Sequence, residues 1–200
     1  MRLWTIQPEE VWDILREKGV YRCDPDKCEL LKIDELNPKF GPAYNWLVNQ
    51  MEKRIGKRPD GIVFPVWAWY RYAGKNRVDL RRERWAYGTA GQRMACIEIE
   101  IPDEQVLLSD FGEWHYVLNR WPISQTEEES KQIDEFVEHA DKDTLSAFLN
   151  VNWEQIFDIT PVKNGWRSRG DDIQATFWEL KQENLKGVRF FTTAQSKHEI

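Results

Sequence analysis

The chain has 200 residues, with 28 basic against 34 acidic side chains and a formal net charge of −6. That length suits one globular domain, and an acidic chain of pI near 5.3 is not a general nucleic-acid binder. Aromatic residues make up 13%, with 11 tryptophans among them, which excludes disorder, and no apolar run reaches the length of a membrane span.

Residues 2–6 form a short β-prone run. Pro8 then stands at a first helical position, with Glu9 and Glu10 at the positive helix end. Val11, Trp12, Ile14 and Leu15 have the spacing of an amphipathic helix, and Lys18-Gly19 ends it. Residues 23–42 read as a long connection broken by Pro25, Pro38 and Pro42. A second helix is predicted over 43–55, stopped by Gly56. Residues 62–72 are aromatic and β-branched, a strand interrupted by Pro65, which points to an edge or a bulge. Residues 74–92 have glycines and no periodicity, so they read as a loop.

Ile97, Ile99 and Ile101 alternate with Glu98 and Glu100, a strand with one wet face. Pro102-Asp103 turns it, and 106–109 form another strand. A short helix is predicted over 114–121. A further helix over 126–140 takes Thr126 as its cap. Weaker helical pieces fill 145–157, a Gly, Ser and Arg-rich loop covers 163–172, and strands follow at 173–180 and 188–192. The end from Ala194 is expected to fray. Strands and helices do not alternate regularly, so the class is α+β: one domain of mixed or antiparallel sheet with flanking helices.

Charge is unevenly spread. Between 71 and 93 there are seven basic against two acidic residues, and between 127 and 143 eight acidic against two basic. The basic stretch, Arg81 and Arg82 included, can meet phosphate or form a solvated loop. Three cysteines, Cys23, Cys28 and Cys96, and no basic-then-apolar leader point to a reducing cytoplasm. Cys23 and Cys28 have knuckle-like spacing, but no second ligand pair follows, so no metal is expected.

No glycine-rich phosphate loop and no nucleophile elbow is present. His115 lies near Asp110 and Glu113 in the run SDFGEWHYVLN, a pairing that suits a general base. His139 and His198, and the turn-like Asp171 and Asp172, read as structural. Trp67 and Trp69 share one strand face and serve either as core or as a stacking wall. Trp4, Trp12, Trp46 and Trp178 read as core, whereas Trp85 and Trp166 fall in basic loops.

Two resemblances follow. MRLWTIQPEEVWDILREKGVYRCDP, FPVWAWYRY, EIEIPDEQVLLSDFGEWHYVLN and QATFWELK resemble a bacterial family termed domain of unknown function 3841, over most of the chain. That resemblance implies no activity. More distantly, the order of parts is similar to ADP-ribosyltransferase-like domains of the DNA-modifying type. RLWTIQ followed by PEEVWDILREKG matches their first strand and glycine-ended helix, FPVWAWYRY their aromatic strand, and KNGWRSRGDD followed by IQATFWEL their late loop and strand.

The second resemblance implies binding of NAD or a related nucleotide by Arg2, Thr5, Gln7, Trp69, Tyr70 and Gln174. It implies target or pyrophosphate contacts from Trp166, Arg167 and Arg169. Thr176 stands where that family carries its catalytic glutamate, and Glu179 is the next carboxylate. A threonine cannot supply the negative charge that stabilises an oxocarbenium-like centre. The alternative is a non-catalytic module that binds nucleic acid or protein through the 71–93 loop and exposed tryptophans. A third reading is an enzyme built on Asp110, Glu113 and His115.

Overall fold

A computed structural model describes residues 1–27, 40–80, 87–164 and 166–194. Within them the chain forms one α+β domain. Strand β1 (Arg2–Pro8) runs into helix α1 (Glu9–Lys18), which ends at Gly19 with φ +73°. The glycine is required there, because its backbone N–H turns back to the Leu15 carbonyl in a left-handed conformation. Strand β2 (Val20–Tyr21) and helix α2 (Phe40–Ile55) follow, then β3 (Val66–Arg71), β4 (Arg93–Glu100) and β5 (Leu107–Asp110).

Helices α3 (Phe111–Asn119), α4 (Glu127–His139) and α5 (Lys142–Asn152) come next, with a 3-10 turn at Trp153–Phe157. The chain returns through β6 (Val162–Lys163), β7 (Ser168–Arg169), β8 (Ile173–Phe177), β9 (Leu180–Lys181) and β10 (Leu185–Thr192). The main sheet has the order β10-β4-β1-β3-β8-β5 with every neighbour antiparallel; β2 pairs with β9 and β6 with β7.

Alternation along the strands builds two faces. Leu3, Ile97, Ile99, Val66, Ala68, Ala175 and Phe177 turn to one face, where Val11 and Leu15 of α1 cover them. The opposite face is covered in two halves. Over β5 and its neighbours lies a helical layer in which Tyr44, Trp46, Leu47 and Met51 of α2 meet Trp114 and Val117 of α3, with Trp153 and Ile156. Over β1, β4 and β10, Val78 and Leu80 pack onto Trp4, Met94, Cys96 and Phe191.

Most described tryptophans are therefore core. Trp46 stacks on Phe157 at 5.6 Å and meets Trp153 edge-on, and its indole donates to the Asn150 carbonyl. Trp67 packs on Trp114 at 5.4 Å, and Trp4 and Trp69 stand opposite each other across β1 and β3. Trp121 and Trp166 are the exposed ones among the described residues, and Trp85 lies outside them.

The expected elements are present, with corrections at the edges. Pro65 precedes β3 instead of interrupting it, and β3 is a central strand with a register irregularity between Trp69 and Arg71. The proline is tolerated because it lies outside the ladder. Strand β4 is buried on both faces from Met94 to Ile97, so its wet face is confined to Glu98 and Glu100. Helix α3 starts three residues earlier than periodicity suggests, because Asp110 caps it by accepting from the Glu113 N–H. Thr126 caps α4 as expected. The 173–180 run is two strands, broken at Trp178-Glu179. The connection expected over 23–42 falls mostly outside the described residues, as does the tail beyond 194. No described helix is long and apolar enough to cross a membrane.

One turn ties β5 to β3, the two strands that flank β8. Gly170 (φ +93°) donates to Asp110 Oδ2 at 2.7 Å and accepts from Arg71 Nη1 at 2.7 Å. A Cβ there would stand 2.8 Å from the Pro161 Cα. Gly170→Ala is expected to cost more than the ~1–2 kcal/mol of a left-handed alanine, because the clash adds to it, as urea denaturation would measure.

Candidate functional site

Strand β1 pairs with β4 at all seven of its residues but meets β3 in a single register pair, Trp4↔Trp69. Beyond that pair the two strands part, and side chains replace the ladder. Thr5 Oγ1 donates to the Trp67 carbonyl at 2.7 Å, and Gln7 Nε2 donates to Thr5 Oγ1 at 2.9 Å. Thr5 is fully buried, so it satisfies a carbonyl that would otherwise be orphaned inside the sheet.

The parting opens a cleft of about 850 Å³ between the end of β1, the start of β3, helix α1 and the segment after β2. Gln7 and Trp67 lie at its sheet wall, and Lys18, Tyr21, Arg22 and Lys27 on the opposite side. The lining carries three cations against the carboxylates of Glu10 and Asp24.

A further carboxylate stands at the edge of this cleft. β8 breaks after Phe177, and the chain re-pairs as β9 with Tyr21 opposite Leu180. That register places Glu179, one residue before Leu180, beside Arg22, one residue after Tyr21. Arg22 holds Glu179 Oε1 from Nη2 at 2.7 Å and from Nε at 2.8 Å, and Lys181 Nζ lies 3.7 Å from Oε2. Arg22 is half exposed, whereas Glu179 is mostly covered, so the arginine is the freer partner.

Of the residues singled out in the sequence, Gln7 lines the cleft, Thr5 lies directly behind it, and Glu179 stands at its edge. The others lie elsewhere. Thr176 is buried away from the cleft lining, and its hydroxyl donates to the Leu107 carbonyl at 3.3 Å. Gln174 stands between Trp69 and Ser109 in the sheet, and its Oε1 is buried without a hydrogen-bond partner among the described residues. Trp69 packs on Tyr72 and Phe111. Arg2 and Tyr70 border a separate hollow. Arg81 and Arg82 lie outside the described residues, as do Cys28 and His198.

Trp166, Arg167, Arg169 and His115 gather near the other end of the sheet. Arg167 and Glu113 form an ion pair with side chains 7% and 5% exposed, with Nε donating to Glu113 Oε1 at 2.5 Å. Arg169 is buried as well, bonded to Asp158 and to the Thr160 carbonyl at 2.8 Å. Both buried arginines thus serve ion pairs, with Arg167 Nη1 and Glu113 Oε2 buried and without a hydrogen-bond partner among the described residues. Trp166 is exposed, and its indole donates to Ser124 Oγ at 3.3 Å. Asp110 spends its carboxylate on the Glu113 and Gly170 N–H groups. His115 is exposed, with Nδ1 2.9 Å from the Phe111 carbonyl, and touches neither acid. Asp110, Glu113 and His115 therefore do not assemble as an acid–histidine pair. Among the described residues no group of three or more His, Cys, Asp or Glu is arranged to hold a metal.

The family described as domain of unknown function DUF3841 matches residues 2–186, which span β1 through the start of β10. The chain belongs to the DUF3841 family. The match includes every residue of the cleft and Glu179. No curated protein and no solved structure matches the chain.

The Arg22–Glu179 pair was not legible as a unit, because it depends on β2 pairing with β9 across more than 150 residues. The Glu113–Arg167 pair was missed because its partners lie 54 residues apart and meet only in the fold. Burial pushes the Glu113 carboxyl above the usual glutamate range, and Arg167 pulls it back only in part. An acid whose folded pKa is raised contributes most stability below its unfolded pKa and less as pH rises past it. Arg167→Ala is expected to cost about 3–5 kcal/mol near neutrality, since it leaves a buried carboxylate unpaired. The loss should shrink as the pH is lowered from neutrality into the acidic range, where Glu113 takes up a proton. Urea denaturation at neutral and at acidic pH checks this; an equal loss at each would contradict it.

Proposed function

We propose that the chain is an ADP-ribosyltransferase-like domain that binds NAD or a related nucleotide in the cleft between β1 and β3. The observation that carries the reading is the meeting of Gln7, Arg22 and Glu179 around this opening. Its volume lies in the range of cofactor and small-molecule sites, about 300–1,000 Å³. The order of parts named by the distant resemblance also supports it: a first strand, a glycine-ended helix, an aromatic strand, and a late loop and strand.

In this reading Lys18, Arg22 and Lys27 meet the pyrophosphate, because cationic side chains bind phosphate by charge-assisted hydrogen bonds. Tyr21 supplies flat surface for a ring. Gln7, its amide held by Thr5, orients a ribose or amide group. Glu179 takes the role the resemblance assigns to a glutamate, in place of Thr176. Its carboxylate stabilises positive charge growing at the anomeric carbon as the bond to nicotinamide breaks. Nicotinamide leaves with the bonding pair, and the acceptor forms the new bond and gives up its proton. Arg22 links binding to chemistry: a phosphate that draws Arg22 off Glu179 frees the carboxylate at the moment it is needed.

Calorimetry with NAD, and mass spectrometry for ADP-ribose added to protein or nucleic acid, test the reading. Saturable NAD binding is expected, weakened about tenfold or more in Arg22→Ala. Glu179→Gln should bind NAD yet lose transfer by on the order of 10²–10³. Absence of both NAD binding and added ADP-ribose would overturn the reading.

A further inference from the structure

On the face of the sheet opposite α1, a second hollow of about 460 Å³ is bounded by Arg2, Trp4, Tyr70, Asn76, Arg77 and Glu98. Strand alternation puts Arg2 and Trp4 on this face, with Glu98 directly opposite Trp4. On the other side of Glu98, β10 presents Gly187. A Cβ at Gly187 would reach 4.0 Å from Glu98 Oε2, so the carboxylate lies over bare backbone and the hollow stays open beside it.

The charges here do not balance. Arg2 Nε lies 3.4 Å from Glu98 Oε1, with the arginine side chain 59% exposed. Arg77 is exposed and makes no ion pair among the described residues. Arg189, next to Gly187's position on the same face of β10, donates to Cys96 Sγ at 3.7 Å, a weak acceptor. Arg2 and Arg77 thus share the hollow with the single carboxylate of Glu98, which can engage one guanidinium bidentately. Asn76 adds amide donors at the rim, and Tyr70 a half-buried ring at the wall.

We propose that this hollow is an anion site that takes the phosphate group of a nucleotide unit, carried by a free nucleotide or by a single strand of nucleic acid. The guanidinium fork matches phosphate geometry, and the adjoining aromatic ring suits a base better than a bare inorganic ion. Glu98 occupies Arg2 until a stronger anion arrives, so it acts as a built-in competitor. The site lies across the sheet from the β1–β3 cleft and does not depend on what binds there.

The test uses calorimetry with AMP and with inorganic phosphate, and fluorescence anisotropy with a short labelled single-stranded oligonucleotide. Saturable binding of AMP or the oligonucleotide is expected, weakened about tenfold in Arg77→Ala and strengthened in Glu98→Gln. Arg22→Ala, at the cleft, should leave it unchanged. Tighter binding of the oligonucleotide, falling steeply with salt, assigns the strand; binding of AMP alone assigns the free nucleotide. The proposal is overturned by no saturable binding, by binding that neither Arg77→Ala nor Glu98→Gln alters, or by binding that Arg22→Ala abolishes. Thermal melts of these surface variants verify folding, and the opposite signs expected for Arg77→Ala and Glu98→Gln separate a ligand effect from a loss of stability.

Discussion

The parting of β1 from β3 is the constraint on which the rest of the site depends. A central sheet pair normally continues its ladder until one strand ends, since each unpaired buried carbonyl is costly. Here the ladder stops after Trp4↔Trp69, and the Thr5 hydroxyl takes over the Trp67 carbonyl. One buried threonine thus lets two neighbouring strands diverge without leaving an orphaned acceptor. Gln7 uses the same hydroxyl as its acceptor and is held at the wall of the opening. The cleft is therefore a consequence of backbone geometry, with its polar wall fixed from behind by the interior of the sheet.

The two ends of the sheet spend their charge differently. At the β5 end, Asp110, Glu113, Arg167 and Arg169 are buried and bound to one another, to N–H groups or to nearby carbonyl and carboxylate oxygens. Such groups hold a turn in place, and breaking one of them exposes the large cost of burying its partner alone. At the cleft and at the second hollow, Arg22 and Arg2 are 48% and 59% exposed and hold their carboxylates across 2.7 and 3.4 Å. Exposed pairs of this kind contribute little stability, which leaves their cations available for exchange onto phosphate.

What could be read from the chain follows from how local its causes are. The opening strand and helix, with Gly19 at its end, and the α4 start at Thr126 rest on caps and spacing within a few residues, and both were legible. So was the period of β4, although burial of Met94 and Cys96 beneath Val78 and Leu80 could not be foreseen. Pro65 misled because a proline just before a central strand looks the same as one within an edge strand. Thr5, Gln7 and Glu179 were marked from the order of parts, as was Thr176 despite its missing charge, since only the structure shows that its hydroxyl is turned to Leu107. Arg22 carried no signal at all. Its role arises from a two-residue strand pair that joins the start of the chain to its end. The tryptophan count likewise resolves in the packing, where most of the described rings build the core and Trp121 and Trp166 remain exposed.

The most direct measurement is a crystal structure of the protein grown with NAD. The proposed arrangement predicts the ligand between Gln7 and Trp67, its phosphates against Arg22 and Lys18, with Arg22 turned away from Glu179. A saturated crystal with the cleft closed to ligand, the Arg22–Glu179 pair intact and NAD held only elsewhere on the molecule would contradict it.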